Sequence, residues 1–448
     1  MNFDSFQKLV TAYANTKNLT AFELYYSRSI SQSFNSFGGE IENVSHSSGE
    51  GVCFRCLKNG KMGYSSTELY TEDEAKRLVD DAISALEIIE SDDEEFIFKG
   101  AENYAEPLKI DKTMKKPSEH IKDALEIEKI CKEKDARIYA VPYAMTTEGV
   151  GETRIINSYG LDLSDEGHMF GMMAQTTAVE NEDVKSGFSV SFGRNYNDVS
   201  IDKVCEEAVK TAVDSLGASA VPSGKYKTVL SNLCMCDLIS TFSSIFSAAA
   251  AQKGLSLLKD KEGEKIASDI VTLIDDPRCE KSCTYATFDA EGVPTKLKNV
   301  IENGVLKTLL HNLKTANKAG VESTGNAYKG SYASKVSVAP FSLYIKEGED
   351  DLDKILDYTQ NGLYITDLSG LHAGADSISG DFSLAASGFL IENGKKTKAV
   401  NSITLAGNFF ALLKDIEKIG SDLRFSMPSG GQFGSPCVVV KNLTVAGE

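Results

Sequence analysis

The chain lacks several features that would assign it to a familiar class of protein. Among 448 residues there is no tryptophan, and no run reaches the roughly 18–20 consecutive apolar residues that a membrane-spanning helix needs. The first residues, MNFDSFQKLV, contain no basic segment followed by an apolar one, so they do not resemble a signal peptide. We therefore expect a cytoplasmic protein that has no membrane partner.

Basic clusters are also lacking. The formal net charge is −18, and the nearest approach to a basic run, residues 109–116, lies beside acidic neighbours. Because binding to phosphate backbones requires a positive surface, this charge disfavours nucleic acid as a partner. Residues 109–116 are instead typical of a solvated linker.

Metal and nucleophile motifs are scarce. The five histidines are far apart, and the nine cysteines show neither disulfide-framework nor zinc-ribbon spacing, although Cys53 and Cys56 form a C-x-x-C in a strand-like segment. We interpret these thiols as reduced and structural. No G-x-S-x-G turn occurs either, so the serines of residues 234–251 have no evident activating base. Their apolar spacing predicts one continuous core helix.

The remaining pattern indicates an α+β protein. Residues 20–90 and 135–218 look like two copies of a strand–strand–helix unit, joined by a linker and helix at 100–134. The helix of each copy carries the same apolar spacing, beginning at Ala75 and at Cys205, and Thr71 with Glu74 is typical of a capping box. We expect one antiparallel sheet with helices on one face. In the first copy, residues 38–56 are expected to form paired strands around a turn.

The second half of the sequence has a different character. After a Pro/Gly/Ser turn near residue 220 come short, glycine-punctuated strands that predict a mostly β body, sandwich or barrel, with few helices. One of those helices is expected at 409–418, a loop at 425–436 and a strand at 436–440. These boundaries predict two domains, at 1–220 and 221–448.

The segment at 370–394 is rich in Gly, Ser and Ala, which permit close backbone approach and free N–H groups. It predicts a site for a peptide or a partner, formed by His372, Asp376, Ser379, Gly380, Asp381 and Ser383. The alternative is a tight β-arch that simply packs on a neighbouring segment, and the sequence leaves both open.

Several ordered blocks, among them VESTGNA at 321–327, IENGVLK at 301–307, SGDFSLAASGFLIENG at 379–394 and the closing NLTVAG, together resemble the TldD/PmbA family. The resemblance covers most of the chain, and it is closest to the PmbA (TldE) branch, known as modulator of DNA gyrase or peptide maturation protein. It implies a cytoplasmic role in maturation of peptides and leader peptides, together with a TldD-type partner that binds zinc.

The resemblance also implies where chemistry should lie. TldD members carry H-E-x-x-x-H on the helix corresponding to residues 234–251, and a cysteine in the glycine-rich loop near the C-terminus. Here residues 234–251 contain neither His nor Glu, the loop at 425–434 contains no Cys, and Cys437 falls off the ligand position. We therefore expect no catalytic residue, no metal ligand and no cofactor in this chain, with zinc in the partner.

Three functional classes remain open. The first is a non-catalytic subunit that encloses the peptide channel of a TldD-type metalloprotease and binds extended peptide by strand addition. The second is a stand-alone metallopeptidase with unusual ligands, such as His372, Asp376 and a thiol. The third is a regulatory binding protein such as a gyrase modulator. A homodimer of the isolated chain is the general default.

Overall fold

The computed structural model describes residues 1–88 and 93–448. Its first sheet, which we call the N-terminal sheet, has six strands in the order β3-β2-β1-β4-β5-β6, and every neighbouring pair is antiparallel. The strands are β1 Ala21–Phe37, β2 Glu40–Lys58, β3 Lys61–Thr67, β4 Ile138–Asn157, β5 Asp162–Glu180 and β6 Asp183–Gly193. The predicted antiparallel sheet is confirmed.

Four helices pack against one face of this sheet: α1 Phe3–Ala14, α2 Glu72–Ala85, α3 Pro117–Lys134 and α4 Ile201–Asp214. The matched apolar spacing is confirmed, since α2 buries Ala75 and Leu78 where α4 buries Cys205 and Ala208. Each copy of the repeat also contains a third strand and a leading helix, which the strand–strand–helix pattern does not include. The first copy was predicted to end at residue 90, and residues 89–92 lie outside the described part of the chain.

Two local predictions in the first copy need correction, and a third is confirmed. Residues 38–56 do not form paired strands around a turn, because Glu40–Lys58 is one continuous strand and the turn lies at Gly38 and Gly39. Thr71 does cap α2 by accepting a hydrogen bond from the Glu74 N–H. The Glu74 carboxylate, however, accepts from Thr67 and Arg77 instead of completing a capping box.

The C-terminal half, from residue 221 onward, is mostly β, as predicted. One six-stranded sheet has the order β10-β9-β8-β13-β19-β18; another has the order β16-β15-β14-β7-β20-β17, and an additional β16–β20 pairing closes five of its strands into a ring. The strands of these two sheets are β7 Gly224–Leu230, β8 Leu273–Asp275, β9 Lys298–Glu302, β10 Val305–Leu306, β13 Ser342–Ile345, β14 Gly362–Ser369, β15 Asp381–Glu392, β16 Lys395–Asn408, β17 Ile416–Ile419, β18 Arg424–Phe425, β19 Gln432–Ser435 and β20 Val438–Ala446. Strands β11 Ala327–Tyr328 and β12 Ser337–Val338 pair with each other as a separate two-stranded sheet.

Six helices accompany these strands: α5 Asn232–Phe242, α6 Ala248–Gln252, α7 Leu313–Ala319, α8 Leu352–Thr359, α9 Leu371–Gly374 and α10 Phe409–Lys414. The helix predicted at 409–418 is therefore too long, because Asp415 ends it and β17 begins at once. The segment at 425–436 is not all loop, since it holds part of β18 and all of β19. The last strand runs from Val438 to Ala446, so the predicted boundaries of 436–440 were wrong.

The core of the C-terminal half surrounds α5. Leu238, Ile239 and Phe242 share one buried cluster with Leu343 and Phe433 of the first sheet and with residues of β14, β15 and β16 in the second. A helix packed between two sheets needs apolar residues on each side that faces a sheet, which explains the high apolar content of this segment. Among the described residues, no helix is both long and apolar enough to span a membrane.

A charged contact joins the two halves. Arg55 of β2 is buried, its Nε lies 2.7 Å from Glu23 Oε1, and its Nη1 lies 3.3 Å from Glu291 Oε1 in the C-terminal half. Around it, Tyr25, Cys53 and Ile155 pack against Phe288 and Ala290. The contact therefore attaches one end of the sheet face opposite the helices to the C-terminal half.

Candidate functional site

The segment at 234–251, predicted as one continuous helix, is interrupted. Helix α5 ends at Phe242, a 3-10 turn occupies Ser243–Phe246, and α6 begins at Ala248. Ser247 adopts an extended conformation between them, with φ −80° and ψ 123°. The apolar core side of the prediction is confirmed, whereas its continuity was wrong.

Hydrogen bonds explain the interruption. The Ser243 hydroxyl donates to the Ser240 carbonyl at 2.8 Å, a local bond that competes with helical pairing. The backbone then pairs with a neighbouring segment: Leu310 N–H donates to the Phe246 carbonyl at 2.8 Å, and Ala248 N–H donates to the Leu310 carbonyl at 2.9 Å. This short bridge replaces the missing helical bonds. Ser244 is exposed there, Ser240 and Ser243 are partly exposed, and Ser247 is buried.

A cleft of about 170 Å³ opens at this interruption. We call it the serine cleft, and its walls come from three segments. They are Ser240, Ser243, Ser244 and Ser247 of the interrupted helix; Leu310, Val338, Ala339 and Pro340; and Ser429, Gly430 and Phe433 of the glycine-rich segment near the C-terminus. The helix and the glycine-rich segment that the family resemblance marks as the zinc site therefore do meet at one place.

The chemistry of the cleft is that of neutral hydroxyls. None of its described lining residues is His, Cys, Asp or Glu. Within residues 1–88 and 93–448, no group of three or more such side chains is arranged to hold a metal ion. Hydroxyls and the backbone of a glycine-rich loop form hydrogen bonds to peptide groups, but they supply neither a general base nor a strong zinc ligand.

The cysteines close to this region are buried thiols. Burial raises the pKa of Cys236 to about 12, and burial likewise raises the pKa of Cys234 and of Cys437. Cys437 lies just before β20, where its N–H donates to Asp422 Oδ1 at 2.9 Å, and it is not among the residues that line the cleft. Thiols with a raised pKa stay protonated at neutral pH, whereas metal binding requires the thiolate.

One titratable group on α5 has no signal in the sequence. Burial, together with the charge of Asp367 on β14, raises the pKa of Asp237 to about 6. Asp237 stands one turn before Ser240, outside the cleft lining. Finding it from sequence would have required knowing that β14 brings Asp367 close, which no local pattern reveals.

The VESTGNA block fixes one wall of the cleft. The side chain of Asn326 donates to the Ala339 carbonyl at 3.1 Å and to Asp275 Oδ2 at 2.8 Å. Asn326 and Asp275 are both buried. Asp275 also accepts from Lys298 Nζ at 3.0 Å and from the Phe341 N–H at 2.8 Å. This network positions Ala339 and Pro340, so the block is structural support for the cleft rather than part of its lining.

The six residues predicted as a peptide or partner site are neighbours along the chain: His372 lies in α9, Asp376, Ser379 and Gly380 lie in the turn that joins α9 to β15, and Asp381 and Ser383 lie at the start of β15. The Asp376 carboxylate accepts from the N–H groups of Ile378 at 2.8 Å and Ser379 at 3.3 Å. Asn408, at the end of β16, donates to the Ser379 carbonyl at 2.9 Å and to Asp381 Oδ1 at 2.8 Å. Most of the polar atoms predicted to bind a ligand are therefore bonded within the chain.

The rest of the segment at 370–394, which we call the arch, divides into a packed part and an exposed part. Gly380 has φ +83°, and a Cβ there would lie 2.6 Å from the Phe410 ring, so only glycine fits. His372 and Ser383 are exposed. Phe382, between Asp381 and Ser383, is buried and lies 6.4 Å from Phe242 of α5. The arch and the serine cleft thus share one supporting helix.

Comparison with known proteins agrees with this architecture. Residues 22–86 match PmbA/TldA metallopeptidase domain 1, residues 112–216 match the central domain, and residues 223–447 match the C-terminal domain. A protein named "Metalloprotease" from Methanothermobacter thermautotrophicus is 30% identical, over 91% of each chain. Metalloprotease PmbA of Escherichia coli O157:H7 is 25% identical, over 74% of this chain and 70% of that protein.

Two solved structures are similar over almost the entire chain. A candidate modulator of a DNA gyrase from Thermotoga maritima is 32% identical, with a TM-score of 0.92 over 99% of this chain and 100% of that one. TldE from Thermococcus kodakarensis, at 24% identity and a TM-score of 0.90 over 99% and 100%, shows the shared fold. With three matched domains in order along the sequence, the chain belongs to the PmbA/TldD metallopeptidase family.

Proposed function

We propose that the chain is a non-catalytic subunit of a TldD/PmbA-type cytoplasmic metalloprotease system that processes peptides and leader peptides. The observation that carries the proposal is the serine cleft. The family resemblance implies that its helix corresponds to the one that carries H-E-x-x-x-H in TldD members, and here Ser240, Ser243, Ser244 and Ser247 line the cleft instead. A TldD-type partner would supply the zinc and the water-activating carboxylate.

In this proposal the chain contributes a wall of the peptide channel. An extended peptide exposes N–H and C=O groups along its length, and serine hydroxyls can both donate to and accept from them. Neutral hydroxyls impose little preference on side chains, which suits a protease acting on varied peptides. The exposed part of the arch, with His372 and Ser383, is a second surface for peptide or partner.

The test separates metal, activity and partner. Purified, tag-free chain should contain less than about 0.1 zinc per molecule by mass spectrometry, and it should not cleave unfolded peptides. Adding the TldD-type protein from the same cell should produce cleavage, and the two should elute together. Stoichiometric zinc in the isolated chain, or cleavage without the partner, would refute the proposal.

A variant tests the cleft directly. Ser244→Leu should narrow the cleft and raise KM for peptides in the reconstituted complex several-fold, with a smaller change in kcat, because it affects binding alone. Ser421→Leu, at an exposed position outside the cleft, is the control. Equal KM values for the two variants would mean that peptide does not enter the serine cleft.

Two alternatives remain testable. The name of the Thermotoga maritima relative favours a gyrase modulator, which the same preparation can examine: inhibition of DNA supercoiling by pure gyrase at stoichiometric amounts would support it. A stand-alone metallopeptidase that uses His372 and Asp376 would cleave peptides without a partner and would lose that cleavage on His372→Ala, whereas the proposed subunit has no partner-independent cleavage to lose.

A further inference from the structure

One segment has no role in the proposed function: residues 109–116, the polar linker between the two copies of the repeat, which we call the strap. It forms neither helix nor strand, and none of its eight residues is fully buried. Half-buried Ile110 and Met114 are its only large apolar side chains. Apolar packing therefore holds the strap weakly, and its position depends on polar contacts to the N-terminal sheet.

One end of the strap is bound through Glu148 of β4, whose carboxylate is buried. The Lys115 N–H donates to Glu148 Oε2 at 3.0 Å, and Gln32 of β1 donates to the same oxygen at 3.0 Å and to the Lys115 carbonyl at 2.9 Å. Nε2 of His120 and Nε2 of His168 each lie 2.8 Å from a different Glu148 oxygen. Although burial opposes it, the hydrogen bonds from His120, His168 and Gln32 lower the pKa of Glu148 to about 2, so it is ionised.

The middle of the strap is bound by His168 of β5. Its second ring nitrogen, Nδ1, lies 2.9 Å from the Asp111 carbonyl oxygen. A backbone carbonyl can only accept a hydrogen bond, and so can the ionised Glu148, so both nitrogens of His168 have to donate. A neutral imidazole has one N–H and can satisfy only one of these two acceptors. The arrangement therefore requires His168 to be the doubly protonated imidazolium.

The second histidine on Glu148 differs in this respect. Nδ1 of His120 lies 3.1 Å from the Thr146 hydroxyl, which can donate as well as accept. A neutral His120 therefore satisfies both of its partners, whereas a neutral His168 does not. Of the two histidines, His168 is the one whose proton is coupled to the position of the strap.

The charges around His168 favour the imidazolium. The hydrogen bond to Glu148 raises the pKa of His168 above its usual value of about 6.5, and the Asp111 carbonyl acts in the same direction, while burial opposes both. The other charged groups around this contact are the Asp111 carboxylate, Lys112 paired with Glu166 of β5, Lys115 paired with Asp123 of α3, and Glu152 of β4. Each lysine is neutralised by a carboxylate, so the acidic groups dominate.

We propose that His168 is a pH-dependent clasp for the strap: the protonated ring binds Glu148 and Asp111 together, and the ring that has lost its proton releases Asp111. Because the pKa of His168 is raised, the clasp is closed below about pH 6.5 and opens as the pH rises through that raised value. The released part is 109–113, since Lys115 keeps its bond to Glu148 and the partly exposed Lys112–Glu166 pair contributes little. The clasp does not depend on the role proposed for the serine cleft.

Nitrogen-15 NMR of the full chain, labelled at its five histidines, tests the charge state directly. The His168 signals are identified by their loss in His168→Gln. At about pH 6 both ring nitrogens of His168 should have the chemical shift of protonated nitrogen, and one of the two protons should be lost only above about pH 6.5. A His168 ring with one unprotonated nitrogen at about pH 6 would overturn the proposal.

Limited digestion with trypsin tests the strap, because Lys109 and Lys112 lie in the part that is released. A hydrogen bond to a charged group changes the population of an open segment roughly tenfold to a hundredfold, and the rate of cleavage follows that population. Cleavage of the wild type after these two lysines should therefore increase by that factor between about pH 6 and 8.5. Each rate is divided by that of a free peptide with the strap sequence, which removes the pH dependence of trypsin itself.

Variants separate charge from shape. His168→Gln, uncharged at every pH, should be cut at about pH 6 as fast as the wild type at about pH 8.5, whereas His168→Arg, always charged, should stay protected at both. His46→Gln, at an exposed position on β2, is the matched control and should behave as the wild type. Cleavage of the wild type that does not change with pH, or a His168→Gln strap as protected as the wild type, would refute the clasp. The NMR titration and the wild-type digestion decide the question even where a variant unfolds.

Discussion

Asn408 controls the arch that carries His372, Asp376 and Asp381, and its removal should open that arch locally. Its side chain makes four hydrogen bonds. It accepts from the N–H groups of Phe410 at 3.1 Å and Ala411 at 3.2 Å, as the N-cap of α10. It donates to the Ser379 carbonyl and to the Asp381 carboxylate. Asn408→Ala removes all four.

The magnitude follows from these contacts. Loss of an N-cap costs about 1 kcal/mol, and each of the two bonds to the arch contributes about 0.5–1.5 kcal/mol at this partly exposed site. The sum is about 2–4 kcal/mol of local stability. Since 1.4 kcal/mol is a factor of ten, amide hydrogen exchange in the arch should accelerate roughly 30- to 700-fold.

Hydrogen exchange measured by NMR or mass spectrometry reports this directly. The informative amides are Asp376, bonded to the Asp381 carbonyl at 2.9 Å, and Gly380, bonded to the Asp376 carbonyl at 2.8 Å. Asn401→Ala, on the same strand β16, is the matched control and should leave them protected. If Gly380 exchanges at the wild-type rate in Asn408→Ala, the arch is held by something other than Asn408, and the assignment of its polar atoms to structural bonds fails.

Three further predictions concern the N-terminal sheet. Gly63→Ala and Gly187→Ala should each lower the free energy of unfolding, measured by chemical denaturation, by about 3 kcal/mol. The new Cβ would lie 1.9 Å from the Ala82 carbonyl oxygen in the first variant and 2.0 Å from the Ala208 carbonyl oxygen in the second. Gly167→Ala, where a Cβ would meet open space, should leave the free energy of unfolding unchanged in the same assay. Arg55→Met should cost about 3–5 kcal/mol by leaving buried Glu23 and Glu291 unpaired, and calorimetry should show the two halves melting separately. The third concerns Glu148: although burial opposes it, hydrogen bonds from His120, His168 and Gln32 lower its pKa to about 2, and the bond to Glu148 raises the pKa of His168. The contribution of the Glu148–His168 contact to stability should therefore be complete between about pH 4.5 and 6.5. It should be lost as the pH rises through the raised pKa of His168 or falls toward 2. Glu148→Gln should flatten this dependence of the melting temperature on pH.

Sequence periodicity predicted what depends on local chemistry. The helices of both repeat copies follow from apolar spacing and from capping by Thr71 and Ser200, each of which accepts from the backbone N–H three residues later. Alternation in β1, β4 and β6 predicted strands. These features need no knowledge of distant partners, because propensity and burial act in the same direction.

Errors arose where a distant segment decides the local structure. The interruption at Ser247 depends on the bridge to Leu310, more than sixty positions away, and the end of α10 depends on β17 joining β20. The composition of residues 40–50 suggested a turn, yet pairing with β1 along its whole length keeps β2 extended. In each case tertiary pairing overrode a weak local preference.

The same reasoning bears on the candidate site. Sequence could show that residues 234–251 lack His and Glu, but an apolar helix with serines has an adequate explanation as core. The structure adds that the serines line a cleft at an interruption of the helix, together with Ser429 and Gly430 of the glycine-rich segment. The bridge to Leu310 accounts for the interruption, and a consequence of it is that serine hydroxyls line the cleft. The hydroxyls, and not merely the missing ligands, are therefore what a test of function in this chain should alter.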